Sequence, residues 1–423
     1  MRSTVFYQKW IEVKSMLKGK TVVLGVSGSI AAYKIAGLAS SLVKLGADVH
    51  VIMTKNATNF IHPTTFETLT GNKCMVDTFD RNFQFNISHV SLASRADVML
   101  VAPASANVIG KMAFGIADDM LTTTAMAMTC PVLISPAMNV NMFHNPILQD
   151  NLKRLESYGR IIIPPDNGYL ACGVTGDGKM PSEEVLLDYI LREIGCEKDL
   201  KGKKVLVTAG PTREALDPVR FLTNHSTGKM GYAIARQAML RGAEVTLVSG
   251  PVGLVPPRFV KVVPVVSAGE MYQAVTECWE DQDIIIKAAA VADYCPAQVR
   301  DEKIKKKDGD LSIELKRTTD ILGWLGTHKK EHQVLCGFSM ETENVEENSK
   351  AKLEKKKADM IAANCLKEAG AGFGTETNHL LLISDAGIRD LPMMTKAEAA
   401  DELLSALNLL LKKKNSGKGG TEI

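Results

Sequence analysis

Residues 20–54 read KTVVLGVSGSIAAYKIAGLASSLVKLGADVHVIMT. An apolar run, a glycine-serine turn, an amphipathic helix and a second apolar run follow one another, which predicts a β-α-β unit. The turn leaves backbone N–H groups free at a helix N-terminus, where the helix dipole favours an anion such as phosphate. Gly28 and Ser29 are therefore candidates for a phosphate cradle. The same Gly-Ser turn also serves as a plain helix cap, and the run lacks the GxGxxG dinucleotide fingerprint.

Two further strands extend this sheet. Val98–Ala102 (VMLVA) ends in PASAN, Pro103–Asn107, and Val132–Ser135 ends in PAMN, Pro136–Asn139. In an open parallel sheet the ligand crevice lies past the carboxyl ends of the strands, so Ser105, Asn107 and Asn139 are expected to face one site. Each motif alone also reads as a proline turn with a helix-capping asparagine. His89, in NISHVSLASRAD, becomes a candidate through its place ahead of the PASAN strand; a lone histidine is otherwise a structural residue. Four glycines and a proline in GYLACGVTGDGKMP, Gly168–Pro181, predict a loop that carries Cys172.

After a helix-like segment, Ser182–Ile194, the charged stretch GCEKDLKGKK marks a domain boundary near Lys198. The second half then begins as the first did: KVLVTAGPTRE leads through a segment to the helix GKMGYAIARQAMLRG, and GADVHVI at 46–52 is echoed by GAEVTLV at 242–248. The expected fold is α/β, with two doubly wound Rossmann-like domains, 1–197 and 198–423, each with its own crevice. A chain of 423 residues that is 45% hydrophobic has material for two cores. A net charge of +2 argues against a nucleic-acid or lipid-surface partner and suits a small anionic ligand. Eight scattered cysteines without CxxC pairs, no apolar leader and no apolar run of about 18 residues predict a soluble cytoplasmic protein with reduced thiols.

In DPVRFLTNHSTGKMG, Asp217–Gly231, the Arg220 fork and the start of the following helix are expected to grip an anion together, with Asn224, Ser226 and Lys229 close by. The pattern fails the phosphate-loop consensus. DIIIK, Asp283–Lys287, runs into AAAVADY and puts Asp293 at a strand end, suited to Mg2+ or a hydroxyl. EKIKKK, Glu302–Lys307, supplies lysines, as does the helix containing Lys352 and Lys356, whose i, i+4 spacing puts both on one face. Both clusters also read as solvated surface. His328 and His332 share that spacing, but without HExxH order or a third ligand they make no metal site. The tail from Lys412 is expected to be flexible.

Taken in order, these segments resemble, across nearly the whole chain, the bifunctional coenzyme A biosynthesis enzymes that fuse phosphopantothenoylcysteine decarboxylase to phosphopantothenate–cysteine ligase. GSIAAYK, SHVSL, PASAN, PAMNVNM and LACGVTGDGKM are similar to the decarboxylase motifs. VLVTAGPTRE, DPVRFLTNHSTGKMG, AAAVADY and EKIKKK are similar to those of the ligase. The resemblance implies a flavodoxin-like flavoprotein followed by a ligase domain, assembled as a homo-oligomer.

For the ligase, the resemblance implies that CTP activates 4'-phosphopantothenate as an acyl-cytidylate, with Mg2+ at Asp293, and that L-cysteine then displaces CMP. Lys287, Ala288, Ala289, Asp293, Lys303 and Phe338 are the implied CTP contacts, together with the turn Thr319, Asp320, Ile321 and Leu322 and the pair Lys352 and Lys356. Lys303 would serve acyl-cytidylate formation, and Arg220 and Asn224 would handle the acyl intermediate.

For the decarboxylase, it implies FMN on Gly28, Ser29, Thr54, Ser105 and Asn107. The thiol of 4'-phosphopantothenoylcysteine is oxidised, CO2 leaves, and the enethiol is reduced to 4'-phosphopantetheine. His89 is the implied base or orienting group, Asn139 holds the substrate carboxylate and Cys172 gives the proton. Phe143 stands where Trp or Tyr is expected, Lys179 where arginine is usual, and Met340 in GFSMETE where the family has a smaller residue. Two rivals remain: a non-catalytic regulatory flavoprotein of the same family, and a nicotinamide oxidoreductase, which the missing GxGxxG disfavours.

Overall fold

The apolar run Thr21–Val26 is the central strand β1, with Val22, Val23, Leu24 and Val26 fully buried. It pairs in parallel with β2 (Asp48–Met53) on one side and β3 (Val98–Ala104) on the other. Then come β4 (Val132–Pro136) and β5 (Ile161–Ile162), also parallel, giving the order β2-β1-β3-β4-β5. Helices cover both faces of such a sheet, which is why its strands read as continuous apolar runs. The core gathers Val23, Met99, Val101 and Ile134 from strands with Ile109, Leu121 and Leu152 from helices. The winding reverses between β1 and β3, the point at which open parallel sheets place a ligand, past the carboxyl ends of the strands.

This computed structural model describes residues 16–78, 88–171, 173–305, 311–341, 343–365, 372 and 374–416, and the chain divides into two units between Glu197 and Lys198. The helix expected to open directly at the Gly-Ser turn starts instead as a 3-10 turn, Ile30–Lys34, before the α-helix Ile35–Lys44. The loop expected over 168–181 is in part a two-stranded antiparallel ribbon, β6 (Asp166–Tyr169) with β7 (Thr175–Lys179). Glycine weakens a strand through entropy but removes no backbone hydrogen bond, so an exposed ribbon tolerates it where a packed sheet would not. Ser182 caps the helix Glu183–Ile194 by accepting from the Val185 N–H at 3.4 Å.

The second unit contributes β8 (Lys204–Ala209), a short ribbon of β9 (Arg213–Ala215) and β10 (Phe221–Thr223), β11 (Glu244–Ser249), β12 (Lys261–Pro264) and β13 (Ile284–Lys287). A second ribbon, β14 (Tyr294–Pro296) with β15 (Leu315–Arg317), precedes β16 (Val334–Glu341), β17 (Met360–Cys365), β18 (Thr377–Ser384) and β19 (Gly387–Thr395). The large sheet runs β12-β11-β8-β13-β16-β17-β18-β19, parallel as far as β17 and antiparallel beyond. Counted along the chain, its six parallel strands stand in the order 3-2-1-4-5-6 of a dinucleotide-binding sheet. Both halves are thus doubly wound and Rossmann-like, with the reversal between β8 and β13 in this one.

The expectation of a flexible tail from Lys412 fails as far as Ser416. The helix Lys396–Ser416 buries Ala399, Leu403, Leu404, Leu407 and Leu411 along one stripe, and Lys414 pairs with Asp359 at 2.6 Å. Among the described residues no helix is long and apolar enough to cross a membrane.

Candidate functional sites at two sheet edges

At the reversal in the first unit, Ser27 is fully buried just past the end of β1. Its hydroxyl donates to the Pro103 carbonyl at 2.7 Å and accepts from the Ser105 N–H at 2.9 Å, tying the end of β1 to PASAN. Sequence reasoning passed over Ser27, although a hydroxyl ending an apolar strand was the available signal. Ser29 caps the 3-10 turn through the Ala31 N–H at 3.4 Å, and Ser105 caps Ala106–Phe114 through the Val108 N–H at 3.5 Å. Asn107 is exposed in the first turn of that helix. Thr54 follows β2 directly, its N–H on the Val26 carbonyl at 2.9 Å.

Gly28, Ser29, Thr54, Ser105 and Asn107 therefore gather past three adjacent strands. The capping and site readings hold together, since a capping hydroxyl stands beside the remaining free N–H groups of its helix. The donor set is hydroxyls, amides and backbone N–H groups with no carboxylate, which fits a phosphate-bearing flavin. His89 lies half-buried in the first turn of Ser88–Arg95. That helix leads into the amino end of β3, so its own N-terminus points toward the carboxyl edge of the sheet.

Asn139 caps the short helix Val140–Phe143, its oxygen accepting from the Asn141 N–H at 2.8 Å. The β6-β7 ribbon rests on this segment. The Met138 N–H donates to the Gly178 carbonyl at 3.0 Å, and a Cβ on Gly176 would lie 2.8 Å from Val140 Cγ2. Gly178, at φ +113°, leaves no room for a side chain against the Met138 carbonyl oxygen. Close approach, rather than the hinge freedom a glycine-rich run suggests, accounts for these two glycines. His144 Nε2 meets Asp177 Oδ2 at 3.1 Å, and Asn167 donates to Asp177 at 2.9 Å across the ribbon. Cys172 lies outside the described residues, between β6 and β7.

In the second unit, the loops after β8 and β13 are stitched together. The Ala290 N–H donates to the Gly210 carbonyl at 3.0 Å, the Ala292 N–H to Thr212 Oγ1 at 3.0 Å and the Ala289 N–H to Thr208 Oγ1 at 3.2 Å. Asn224 joins them, its amide donating to the Ala290 carbonyl at 3.0 Å. The helix Lys229–Leu240 begins after Gly228, at φ +78°, and a Cβ on Gly231 would sit 2.5 Å from that of Ala209. These two glycines serve the turn and the close helix-strand packing that the first and third glycines of GxGxxG serve elsewhere. Two of the fingerprint's three glycine roles are thus filled here, at a different spacing along the chain. A cavity of about 410 Å3 opens here, lined by Arg213, Phe221, Asn224, Ser226 and Val252 among others.

Three expectations change. The Arg220 fork does not join the helix start: its Nε and Nη2 bind Asp217 Oδ2 at 3.0 and 2.6 Å, and Nη2 also reaches the Ile304 carbonyl at 2.7 Å. A buried carboxylate three residues away already accepts from the fork, which turns the guanidinium toward Asp217 and away from an anion at the helix start. Asp293 is not at the end of β13 but six residues on, exposed, with its carbonyl accepting from the Thr318 N–H at 3.0 Å. Among the described residues no three His, Cys, Asp or Glu side chains cluster to hold a metal. Lys352 and Lys356 do not stand as free cations: Lys352 donates to the Phe338 carbonyl at 2.9 Å and Lys356 pairs with Asp320.

Those last bonds nonetheless bring Asp320, Phe338, Lys352 and Lys356 into one cluster. Asp320 caps the helix Ile321–His328 through the Gly323 N–H at 3.0 Å. Burial pushes its carboxyl up, but Lys356, the Gly323 N–H and Lys352 outweigh this and hold it below the usual range. Ile321 and Leu322 turn their side chains into the core and Thr319 is exposed. Ala288 and Ala289 are half-buried past β13, and Lys287 ends that strand with its amine buried. The Lys287 amine has Met271 Sδ at 3.7 Å, and burial pushes its pKa down to about 7 against the pull of Asp320. Lys303 is exposed on the segment pinned at Ile304; Lys306 and Lys307 lie outside the described residues. His328 stacks on Trp324 at 4.2 Å, a structural contact.

Residues 11–195 match the Flavoprotein family, and residues 200–410 match the DNA/pantothenate metabolism flavoprotein C-terminal domain. The coenzyme A biosynthesis bifunctional protein CoaBC of Bacillus subtilis (strain 168) is 48% identical over 401 residues, 94% of this chain and 98% of that protein. Its namesake in Escherichia coli (strain K12) is 42% identical over 402 residues, 94% of this chain and 99% of that one. Among solved structures, the C-terminal domain of a CoaBC protein is 45% identical at a TM-score of 0.45, covering 51% of this chain and 100% of its own. The chain belongs to the family of bifunctional coenzyme A biosynthesis proteins.

Proposed function

We propose that the protein performs two consecutive steps of coenzyme A biosynthesis: ligation of L-cysteine to 4'-phosphopantothenate in residues 198–423, then decarboxylation of 4'-phosphopantothenoylcysteine to 4'-phosphopantetheine in residues 1–197. The observation that carries this is the pair of crevices, one rich in hydroxyls and amides, the other flanked by lysines, arginine and a displaced glycine pair, on a chain similar to bifunctional relatives along its length.

In the ligase, a carboxylate oxygen attacks the α-phosphorus of CTP and pyrophosphate leaves; the cysteine amine then attacks the acyl carbon and CMP leaves. Two anions must meet in the first step, so cations have to stand ready. Lys303 serves that step, and Asp293 is the residue that would hold Mg2+, which would supply charge neutralisation. Asp320, Phe338, Lys352 and Lys356 make the nucleotide end, with the backbone of 287–289 and 319–322. Asn224 and Arg220 hold the acyl intermediate, Arg220 through the face of its guanidinium turned away from Asp217.

In the decarboxylase, Gly28, Ser29, Thr54, Ser105 and Asn107 would hold FMN, which would supply the two-electron redox chemistry. His89 orients or deprotonates the substrate, Asn139 holds its carboxylate and Cys172, carried by the ribbon, returns a proton to the enethiol. The protein works as a homo-oligomer in the cytoplasm, without nucleic acid or membrane partners. Incubation with 4'-phosphopantothenate, L-cysteine, CTP and Mg2+ is expected to yield pyrophosphate, CO2 and 4'-phosphopantetheine. Absence of both CO2 and pyrophosphate would favour the regulatory-subunit reading and sink this one.

A further inference from the structure

The Asp217 side chain is buried, yet it accepts hydrogen bonds from four directions. The Val219 and Arg220 N–H groups donate to Oδ1, both at 2.8 Å. The Arg220 guanidinium and the Ile304 N–H, 3.0 Å away, donate to Oδ2. Arg220 then closes the ring by donating to the Ile304 carbonyl at 2.7 Å. Both backbone groups of Ile304 are held by one acid-arginine pair, although the segments are 84 residues or more apart. Burial pushes the Asp217 carboxyl up, but the Ile304 N–H, the guanidinium and the two local N–H groups hold it far below the usual range, so it stays ionised at any working pH.

Ile304 is flanked by Lys303 and Lys305 on a stretch without regular secondary structure. Nothing in a helix or sheet ladder aims Lys303; the bonds at Ile304 do. We propose that Asp217 is a positioning residue for both halves of the ligation, setting Arg220 for the acyl intermediate and, through Ile304, setting Lys303 for its formation. It touches neither substrate, and its carboxylate is the shared node of the two steps. This rests on the roles proposed above for Lys303 and Arg220.

The test separates the half-reactions in the full chain. Pyrophosphate release from 4'-phosphopantothenate, CTP and Mg2+ without cysteine reads the first, and cysteine-dependent CMP release reads the second. Asp217→Asn puts an amide N–H where two donors point. It is expected to lower kcat for both by roughly 100-fold, in line with a mispositioned group, with a much smaller change in the KM for CTP. Arg220→Gln, which removes one of the two bonds at Ile304 and leaves the Asp217 bond, should slow the second step more than the first. Loss confined to the second step in Asp217→Asn, or rates within about threefold of the parent in both, would overturn the proposal.

Because Asp217→Asn risks misfolding, Ile304→Pro provides an independent arm. It deletes the donated N–H from a segment outside the sheet. Pyrophosphate release should fall at least about tenfold while the melting temperature holds; a parental rate would refute the link to Lys303. If the parent protein itself releases no pyrophosphate, the ligase reading fails. The clamp is then read by hydrogen exchange at the Ile304 amide, expected to quicken in Asp217→Asn, and unchanged exchange would refute it too.

Discussion

Single residues carry the chemistry, and their surroundings say how each should fail. Cys172→Ser is expected to leave the protein yellow and still releasing CO2 while the oxidised enethiol accumulates in place of 4'-phosphopantetheine; mass spectrometry of the products checks this. Lys303→Gln should abolish pyrophosphate release, whereas Asn224→Asp should let the acyl-cytidylate build up. Lys287 predicts a pH effect on stability. With its folded pKa near 7 and an unfolded value near 10.4, the unfolded chain binds the extra proton between those limits. The native state therefore loses stability as pH falls from about 10 to about 7, by at most about 1.4 kcal/mol per unit. Lys287→Met removes that slope, so its urea midpoint, followed by Trp279 and Trp324 fluorescence, should exceed the parent's at pH 7 and converge with it near pH 10.

At the scale of elements, two contacts decide whether the crevices are built. Gly178 lets β7 lie against the Met138 carbonyl, and Gly178→Ala must lift the ribbon or strain it. Flavin absorbance should persist while product formation falls about 100-fold, as expected of a group misplaced by an ångström; full turnover in that variant would show that ribbon docking does not matter. Gly231 lets the helix Lys229–Leu240 pack on β8, and Gly231→Ala is expected to destabilise the ligase half by about 1–3 kcal/mol in urea unfolding. The N-terminal half should not respond, since Gly231 belongs to the other unit.

The whole molecule is two units on one chain, and each has its own sheet, core and reversal point. Expressed separately, residues 1–197 should stay yellow and decarboxylate added 4'-phosphopantothenoylcysteine, and residues 198–423 should ligate cysteine. Loss of either activity on separation would mean that its site draws on the other half. Neither half carries a contiguous dinucleotide fingerprint, for a different reason in each sheet. The first uses the 2-1-3-4-5 order, and the second splits its glycines around a 17-residue insertion between Gly210 and Gly228.

The sequence by itself determined the α/β class, the break near Lys198 and the candidate sites past Val98–Ala102 and Val132–Ser135. All of these rest on apolar runs, strand-end turns and composition, which are local and readable one segment at a time. It also settled the family, through motifs in order. What it could not say was which way each polar side chain turns. Ser27 bridging to PASAN and Asp217 clamping Arg220 onto Ile304 depend on partners some 76 to 87 residues away. The ribbon around Cys172 formed where glycine content suggested a loop, and the last helix ran past Lys412 because its leucines found a sheet to cover. Tertiary structure decided these, because a hydrogen bond or a buried stripe exists only once two distant segments are brought together.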